Sequence, residues 1–293
     1  MGASNSSLRL LAAFLTATFC AVTTDAAEIR IDPSRKAALG IVLEGKIEPG
    51  DFDKLRTFIF DGEGALEIYL ASPGGDLAEA MKIGRLVREL KLGTVAPDKL
   101  SGELREKLVA RHNLRDSKAN YMCASACFFV LVAGIHRQSD FLHEPILGIH
   151  KPYLSKAELR ALSSDKAIAV ADQTRAIVES YLREMGVPAK YADQMFSVPK
   201  DEVRWISSNE FETDFAGFIP ELRDWVDARC DGRSDAEKRA WEVLKNKTRA
   251  QQSPEERAMS DALMKKYEEQ VKCEIELQSE LGLRAYHDAK GRY

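Results

Sequence analysis

The sequence predicts an α/β domain with parallel strands, followed by a helical C-terminal extension. Three observations carry that prediction. Short apolar runs alternate with helical patterns between residues 38 and 150. A glycine turn, Ser72-Pro73-Gly74-Gly75, joins one of those runs to a helix start. After Arg229 the composition changes to charged segments with strong helix-start signals.

The elements follow in order. Ala38 to Ile47 reads as a strand, with Pro49-Gly50 as its turn and a helix from Asp51 to about Phe58. Ala65–Ala71 is a second strand that runs directly into the glycine turn. Asp76 then opens a helix whose apolar or small residues recur at Leu77, Ala80, Met81, Gly84, Val87 and Leu90. Gly93–Ala96 is a third strand, and the charged stretch 98–119 reads as a surface helix inserted in the core. Ser125 starts an apolar helix that stops at Gly134, and Pro145–His150 is another strand. A long helical region covers Ser155 to Met185. Glu202–Ile206, Asn209–Phe211 and Phe215–Ile219 read as a closing strand, short helix and strand.

Beyond Arg229, Ser234-Asp-Ala-Glu237 and Ser253-Pro-Glu-Glu256 are capping boxes. Met259, Leu263, Tyr267, Val271 and Ile275 make one apolar stripe on the second helix, the spacing of a packing face, and Gly282 is its expected stop. The domain reading is therefore an α/β domain over 28–229 and a helical extension over 230–293.

Composition sets limits. The 293 residues allow one large domain or two smaller ones. With 45% hydrophobic and 30% charged residues and a net charge of −4, nothing argues for nucleic acid or an anionic membrane surface as partner. Arg9, the apolar run Leu10–Val22 and the small residues Thr24-Asp-Ala-Ala27 form the three-part pattern of a signal peptide over 1–26. The expected product is exported, periplasmic or secreted, and free of the membrane after cleavage; an uncleaved N-terminal anchor is the alternative. No later apolar run approaches the roughly 20 residues that span a bilayer.

Export changes the reading of the cysteines, because disulfides persist in oxidising compartments. With Cys20 removed, Cys123, Cys127, Cys230 and Cys273 remain. A Cys230–Cys273 bridge is favoured, while Cys123 and Cys127 stay open between a bridge and two buried thiols. Neither pair has histidines at ligand spacing, so no metal is expected. The chain lacks a Walker pattern and a Gly-x-Gly-x-x-Gly turn after a strand, so no nucleotide cofactor is expected.

The candidate chemistry centres on Asn120–Gly134, where Ser125 is boxed in by Cys123, Ala124, Ala126 and Cys127. Small neighbours permit a sharp turn and leave room for a ligand; a serine there also suits a simple N-cap. Of the five histidines, His112 and His287 sit in charged surroundings that imply solvation. His136 and His143 fall in a loop-like stretch. His150 ends an apolar strand, where it is either a satisfied buried histidine or a base.

Together, Ser-Pro-Gly-Gly after a strand, Cys-Ala-Ser-Ala-Cys at a helix start, and a histidine at a strand end 25 residues later form a known pattern. It resembles the Clp protease proteolytic subunit and its ClpP/crotonase superfamily, closest to the exported, stand-alone branch. The resemblance covers roughly residues 38 to 220 and rests on those three motifs. It implies a ClpP/crotonase-like spiral of ββα units, with Ser125 as nucleophile and His150 as general base. It also implies an oxyanion hole from the N–H groups of Gly75 and Ala126.

The family's orienting aspartate falls two residues before the aromatic of the closing strand. If that aromatic is Trp205, Val203 holds the position, and Asp201 is a small register shift away as the candidate third member. Lys151 raises a Ser-Lys alternative, but adjacent strand residues face opposite ways, so only one of Lys151 and His150 can face Ser125.

The expected activity is an ATP-independent serine peptidase acting on peptides or proteins, since ATP is scarce outside the cytoplasm. The alternatives are a non-catalytic Clp-like binding or assembly module and, from the crotonase branch, acyl transfer on a thioester. Self-association into a homo-oligomer is expected from the resemblance.

Overall fold

A computed structural model of the chain describes residues 26–36, 39–62, 64–140, 144–154 and 156–292. The signal-peptide pattern up to Asp25, Cys20 and His143 lie outside the described residues. The architecture is mixed α/β. The main sheet contains β1 (Glu28–Ile31), β2 (Gly40–Glu44), β3 (Glu67–Ala71), β4 (Gly93–Ala96), β6 (His136–Ser139) and β9 (Gly217–Phe218), in that spatial order. β2, β3, β4 and β6 are parallel; β1 and β9 run antiparallel at the two edges.

Every residue of β2, β3 and β4 is buried, as expected for parallel strands covered on both faces. Alternation divides their side chains between two cores. Ile41, Leu43, Ile68 and Leu70 meet α1 (Asp51–Asp61), α2 (Leu77–Glu89) and α5 (Ala126–Leu131). Val42, Tyr69 and Val95 point the other way, against Leu108 of α3 (Gly102–Arg111) and against Leu114 and Tyr121. The charged insertion is thus a lid on the second face of the sheet. α4 (Ser117–Asn120) follows it.

A smaller sheet stands at the C-terminal end of β3. β5 (Cys123–Ala124) pairs in parallel with β7 (Leu147–Ile149), and β8 (Arg204–Trp205) closes the other side of β7 antiparallel. Ser72 links the two sheets: its N–H donates to Met122 O (2.7 Å) and its carbonyl accepts from Ala124 N–H (3.1 Å).

Some expectations need correction. His136 lies in β6, not in a loop, because pairing to β4 and β9 and partners for its polar side chains offset the polar sequence. His136 stacks on Phe218 at 4.5 Å, and the Arg137 side chain donates to main-chain carbonyls. The long helical region is two helices, α6 (Lys156–Arg160) and α7 (Ser164–Glu184), broken where Ser163 adopts an extended N-cap conformation. Helices α8 (Lys190–Ser197) and α10 (Pro220–Arg229), which flank α9 (Ser208–Asp214), and strand β1 add to the elements the sequence pattern implies.

Both capping boxes form, at the starts of α11 (Asp235–Leu244) and α12 (Pro254–Lys290). Gly282 does not stop α12. It sits inside the helix at a close crossing, where an added Cβ would come 2.6 Å from Leu66 Cδ2. Around that crossing Tyr286 stacks on Phe60 (5.6 Å), and the Gln278 side chain donates to Leu66 O (3.2 Å). The Cys230–Cys273 bridge forms as expected and ties α12 to the end of α10. The apolar stripe is only partly a packing face: Leu263 is buried, but Met259 and Ile275 are about half exposed (51% and 55%). No helix among the described residues is long and apolar enough to cross a membrane.

Candidate active site

The site begins with the glycine turn. Gly74 and Gly75 have φ of 103° and 143°, conformations that side chains rarely adopt. Space enforces the same choice. A Cβ on Gly75 would lie 2.0 Å from Ile47 O, and one on Gly74 would lie 2.6 Å from Ser125 Cβ and 2.8 Å from Ala126 N. The turn therefore presses its backbone against the Ser125–Ala126 peptide. Asp76 caps α2 by accepting the Glu79 N–H (2.7 Å), which fixes where the turn ends.

Ser125 joins β5 to α5 with φ 55° and ψ −121°. That is a sparsely populated region for a residue with a side chain, held only where the surroundings determine it. Here they do. The Ser125 N–H donates to Gly148 O (2.9 Å), its carbonyl accepts from Phe128 N–H (3.1 Å), and Cys123 and Cys127 form a disulfide across it. This closes the question the sequence left open about the inner cysteines. The hydroxyl makes no capping hydrogen bond, so the simple N-cap reading of Ser125 does not describe its side chain. The N–H groups of Gly75 and Ala126 have no acceptor among the described residues, leaving two main-chain donors beside the half-buried serine.

His150 is the residue after β7. The parallel register Ala124↔Gly148 puts Ser125 and His150 just past the same, C-terminal end of β5 and β7. The imidazole Nδ1–H donates to Lys151 O at 3.0 Å; a carbonyl can only accept, so Nε2 is the basic nitrogen. No hydrogen bond joins His150 to the Ser125 hydroxyl among the described residues, a contact that often tightens only when substrate binds. Lys151 is exposed.

The third position is apolar. β7 and β8 pair as Gly148↔Trp205 and Ile149↔Arg204, so continuing the ladder sets Val203 opposite His150. Asp201 is exposed in the turn before β8 and makes no hydrogen bond to His150 among the described residues. The group facing Nδ1 is therefore a peptide carbonyl, not a carboxylate.

The other histidines divide clearly. His287 is exposed, as its surroundings implied. Burial pushes His136 down to about 4, so its neutral ring donates from Nδ1 to Gln278 Oε1 (3.1 Å). His112 contradicts the solvated expectation. It is fully buried, its ring stacks on Tyr69 at 3.7 Å, and its two nitrogens meet Asp32 Oδ2 (2.7 Å) and Asp140 Oδ2 (2.8 Å). Both nitrogens donate to carboxylates, so the ring is an imidazolium and has no lone pair for base catalysis. Its partners lie 80 and 28 residues away, which is why no local pattern announced it.

Among the described residues no cluster of three or more His, Cys, Asp or Glu side chains could hold a metal. No protein-family model matches the chain, and no curated protein matches it.

Proposed function

We propose that the chain is an exported, ATP-independent serine hydrolase of the ClpP/crotonase-like fold, acting on peptides through Ser125 and His150. The observation that carries this reading is the Ser125 elbow: an uncapped hydroxyl at positive φ, beside the unpaired N–H groups of Gly75 and Ala126. In that mechanism His150 Nε2 accepts the hydroxyl proton as Oγ attacks the substrate carbonyl. The Gly75 and Ala126 N–H groups receive the developing oxyanion, a contribution of about 3 to 4 kcal/mol per donor in enzymes of this kind. The imidazolium then protonates the leaving amine, and water activated by the same imidazole releases the acyl group. The Lys151 carbonyl, in place of a carboxylate, holds the ring tautomer. Export is supported by the two disulfides together with the signal-peptide pattern.

A second reading, a non-catalytic Clp-like binding or assembly module, is favoured by Val203 at the third position and by the missing Ser125–His150 hydrogen bond. A fluorophosphonate probe separates the two. Labelling of the wild type and not of Ser125→Ala supports hydrolysis; no labelling of the wild type under either oxidising or reducing conditions removes the catalytic reading and favours the module. Self-association belongs to both readings, and a light-scattering mass of one chain would remove it.

A further inference from the structure

The far end of α5 from Ser125 holds three arginines. Arg88 Nε donates to Ala133 O (2.8 Å), while Arg137 donates from Nε to Gly134 O (3.1 Å) and from Nη2 to Met185 O (2.7 Å). Arg223 Nη2 donates to Ala216 O (3.1 Å) and Phe218 O (3.0 Å). All these acceptors are peptide carbonyls. No carboxylate forms an ion pair with Arg88, Arg137 or Arg223 among the described residues, and Arg137 is only 2% exposed.

A buried cation without a contact ion pair is costly, and Glu221, the carboxylate whose charge acts on both Arg137 and Arg88, forms none with either. Burial, and then the neighbouring Arg88, push the Arg137 guanidinium down to about 9. The Arg137 Nη1 makes no hydrogen bond, yet the side chain lines a pocket of about 400 Å³ with Arg223. The N-terminus of α10 opens into the same pocket through Ile219 and Pro220, adding partial positive charge. Phe215 and Phe218 supply its apolar wall. Two acids share the lining. Asp214 is committed to Lys190 (2.6 Å) and Tyr191 (2.8 Å), while Asp224 is an exposed carboxylate.

We propose that this pocket binds an organic carboxylate, its anionic head between Arg137 and Arg223 and its apolar body against Phe215 and Phe218. Arg137 Nη1 and the N–H groups of Arg223 not taken by Ala216 and Phe218 can each donate to a carboxylate oxygen, and the aromatic wall favours a ligand with a hydrocarbon or aromatic group over a bare inorganic anion. A free C-terminal residue of a peptide and a small aryl or alkyl acid share this chemistry. The inference is independent of Ser125, and it is tested by binding alone.

The test is calorimetric titration of the full chain with 3-phenylpropanoate, its amide, acetyl-Ala-Ala-Phe with a free C-terminus, and inorganic phosphate. At least one carboxylate binds, and the amide does not. Arg223→Gln, an exposed position, weakens carboxylate binding by at least about tenfold, the equivalent of one charge-assisted contact. Asp224→Asn tightens it by removing a like charge, and it does so without disturbing the core. Stronger binding of the tripeptide assigns the site to chain ends, and stronger binding of 3-phenylpropanoate to small acids. The proposal is overturned if neither carboxylate binds near 10 mM, a scale of about 3 kcal/mol. It is equally overturned if the amide or phosphate binds as well as the carboxylates, or if both variants bind as the wild type does.

Discussion

His112→Leu removes the imidazolium that joins Asp32 near the N-terminus, the insertion and Asp140 after β6. Both carboxylates and the ring are fully buried, with contacts of 2.7 and 2.8 Å. Breaking a buried ion pair by deleting one partner costs about 3 to 5 kcal/mol. The residual contacts set the lower end of that range. Asp32 keeps the Ser34 N–H (2.9 Å) and hydroxyl (2.8 Å), and Asp140 keeps Arg35 (3.5 Å) and Arg111 (3.6 Å). A loss of about 3 kcal/mol corresponds to a fall in Tm of roughly 6 to 12 °C, since large domains shift by about 2 to 4 °C per kcal/mol.

The pH dependence follows from the two shifted groups. Burial alone would lower His112, but hydrogen bonds to Asp140 and Asp32 outweigh it and raise the folded value. Its contribution is therefore complete below the ordinary imidazole value of about 6.5 and is lost as pH climbs through the raised folded value. Burial alone would raise Asp32, but its contacts with His112 and Ser34 outweigh that and hold it down. Its contribution is complete above about 3.9 and is lost as pH falls through the lowered folded value. The gap between wild type and His112→Leu is widest between about pH 4 and 6.5 and narrows at alkaline pH. Thermal unfolding by circular dichroism across this range measures it. A difference under about 2 °C at pH 5.5, or a gap that widens in alkali, refutes the reasoning.

Three further outcomes are expected. Val203→Asp places a carboxylate opposite His150 and raises the rate of fluorophosphonate labelling at least about tenfold, a fraction of what a triad aspartate supplies; an unchanged rate shows that the ladder does not continue to Val203. Gly74→Ala forces a side chain to φ 103° and to within 2.6 Å of Ser125 Cβ, so it abolishes labelling and lowers Tm; a labelled variant of wild-type Tm would contradict that geometry. Cys273→Ser opens a bridge spanning 43 residues, for which loop closure gives about 4 kcal/mol, read as a lower urea midpoint.

What could be read in advance depended on how local its physical cause was. The Asp76 cap, the two capping boxes and the strand before Ser-Pro-Gly-Gly are set by residues a few positions apart, and they stand where the pattern placed them. β6 leaves no strand signature because His136, Arg137, Gln138 and Ser139 are polar; its main chain pairs with β4 and β9, and the His136 and Arg137 side chains find partners on α12, at Gly134 and at Met185. Gly282 matches a helix stop in sequence, and only the crossing of Leu66 gives it a place inside α12. At the candidate site, Ser125, Gly75 and His150 were named from motif spacing. The orienting group was not, because a main-chain carbonyl leaves no residue signature.

α5 explains why these observations belong together. It is only six residues long, about 9 Å, and all six are buried. So short a helix is marginal by itself and depends on tertiary contacts. At its N-terminus the disulfide and the Gly148 carbonyl hold Ser125 in an unfavourable conformation. At its C-terminus Arg88 and Arg137 take up the carbonyls of Val132, Ala133 and Gly134 that the helix leaves unpaired. Cations at that end stabilise the dipole whose positive end lies at Ala126, where an oxyanion would form. Of the two arginines that cap α5, Arg137 also lines the proposed carboxylate pocket. An anion there would partly neutralise the cations and so weaken the field along α5. A ligand in the pocket is therefore expected to slow fluorophosphonate labelling of Ser125 in the proposed hydrolase, through a helix that is too short and too tightly packed to adjust independently at its two ends.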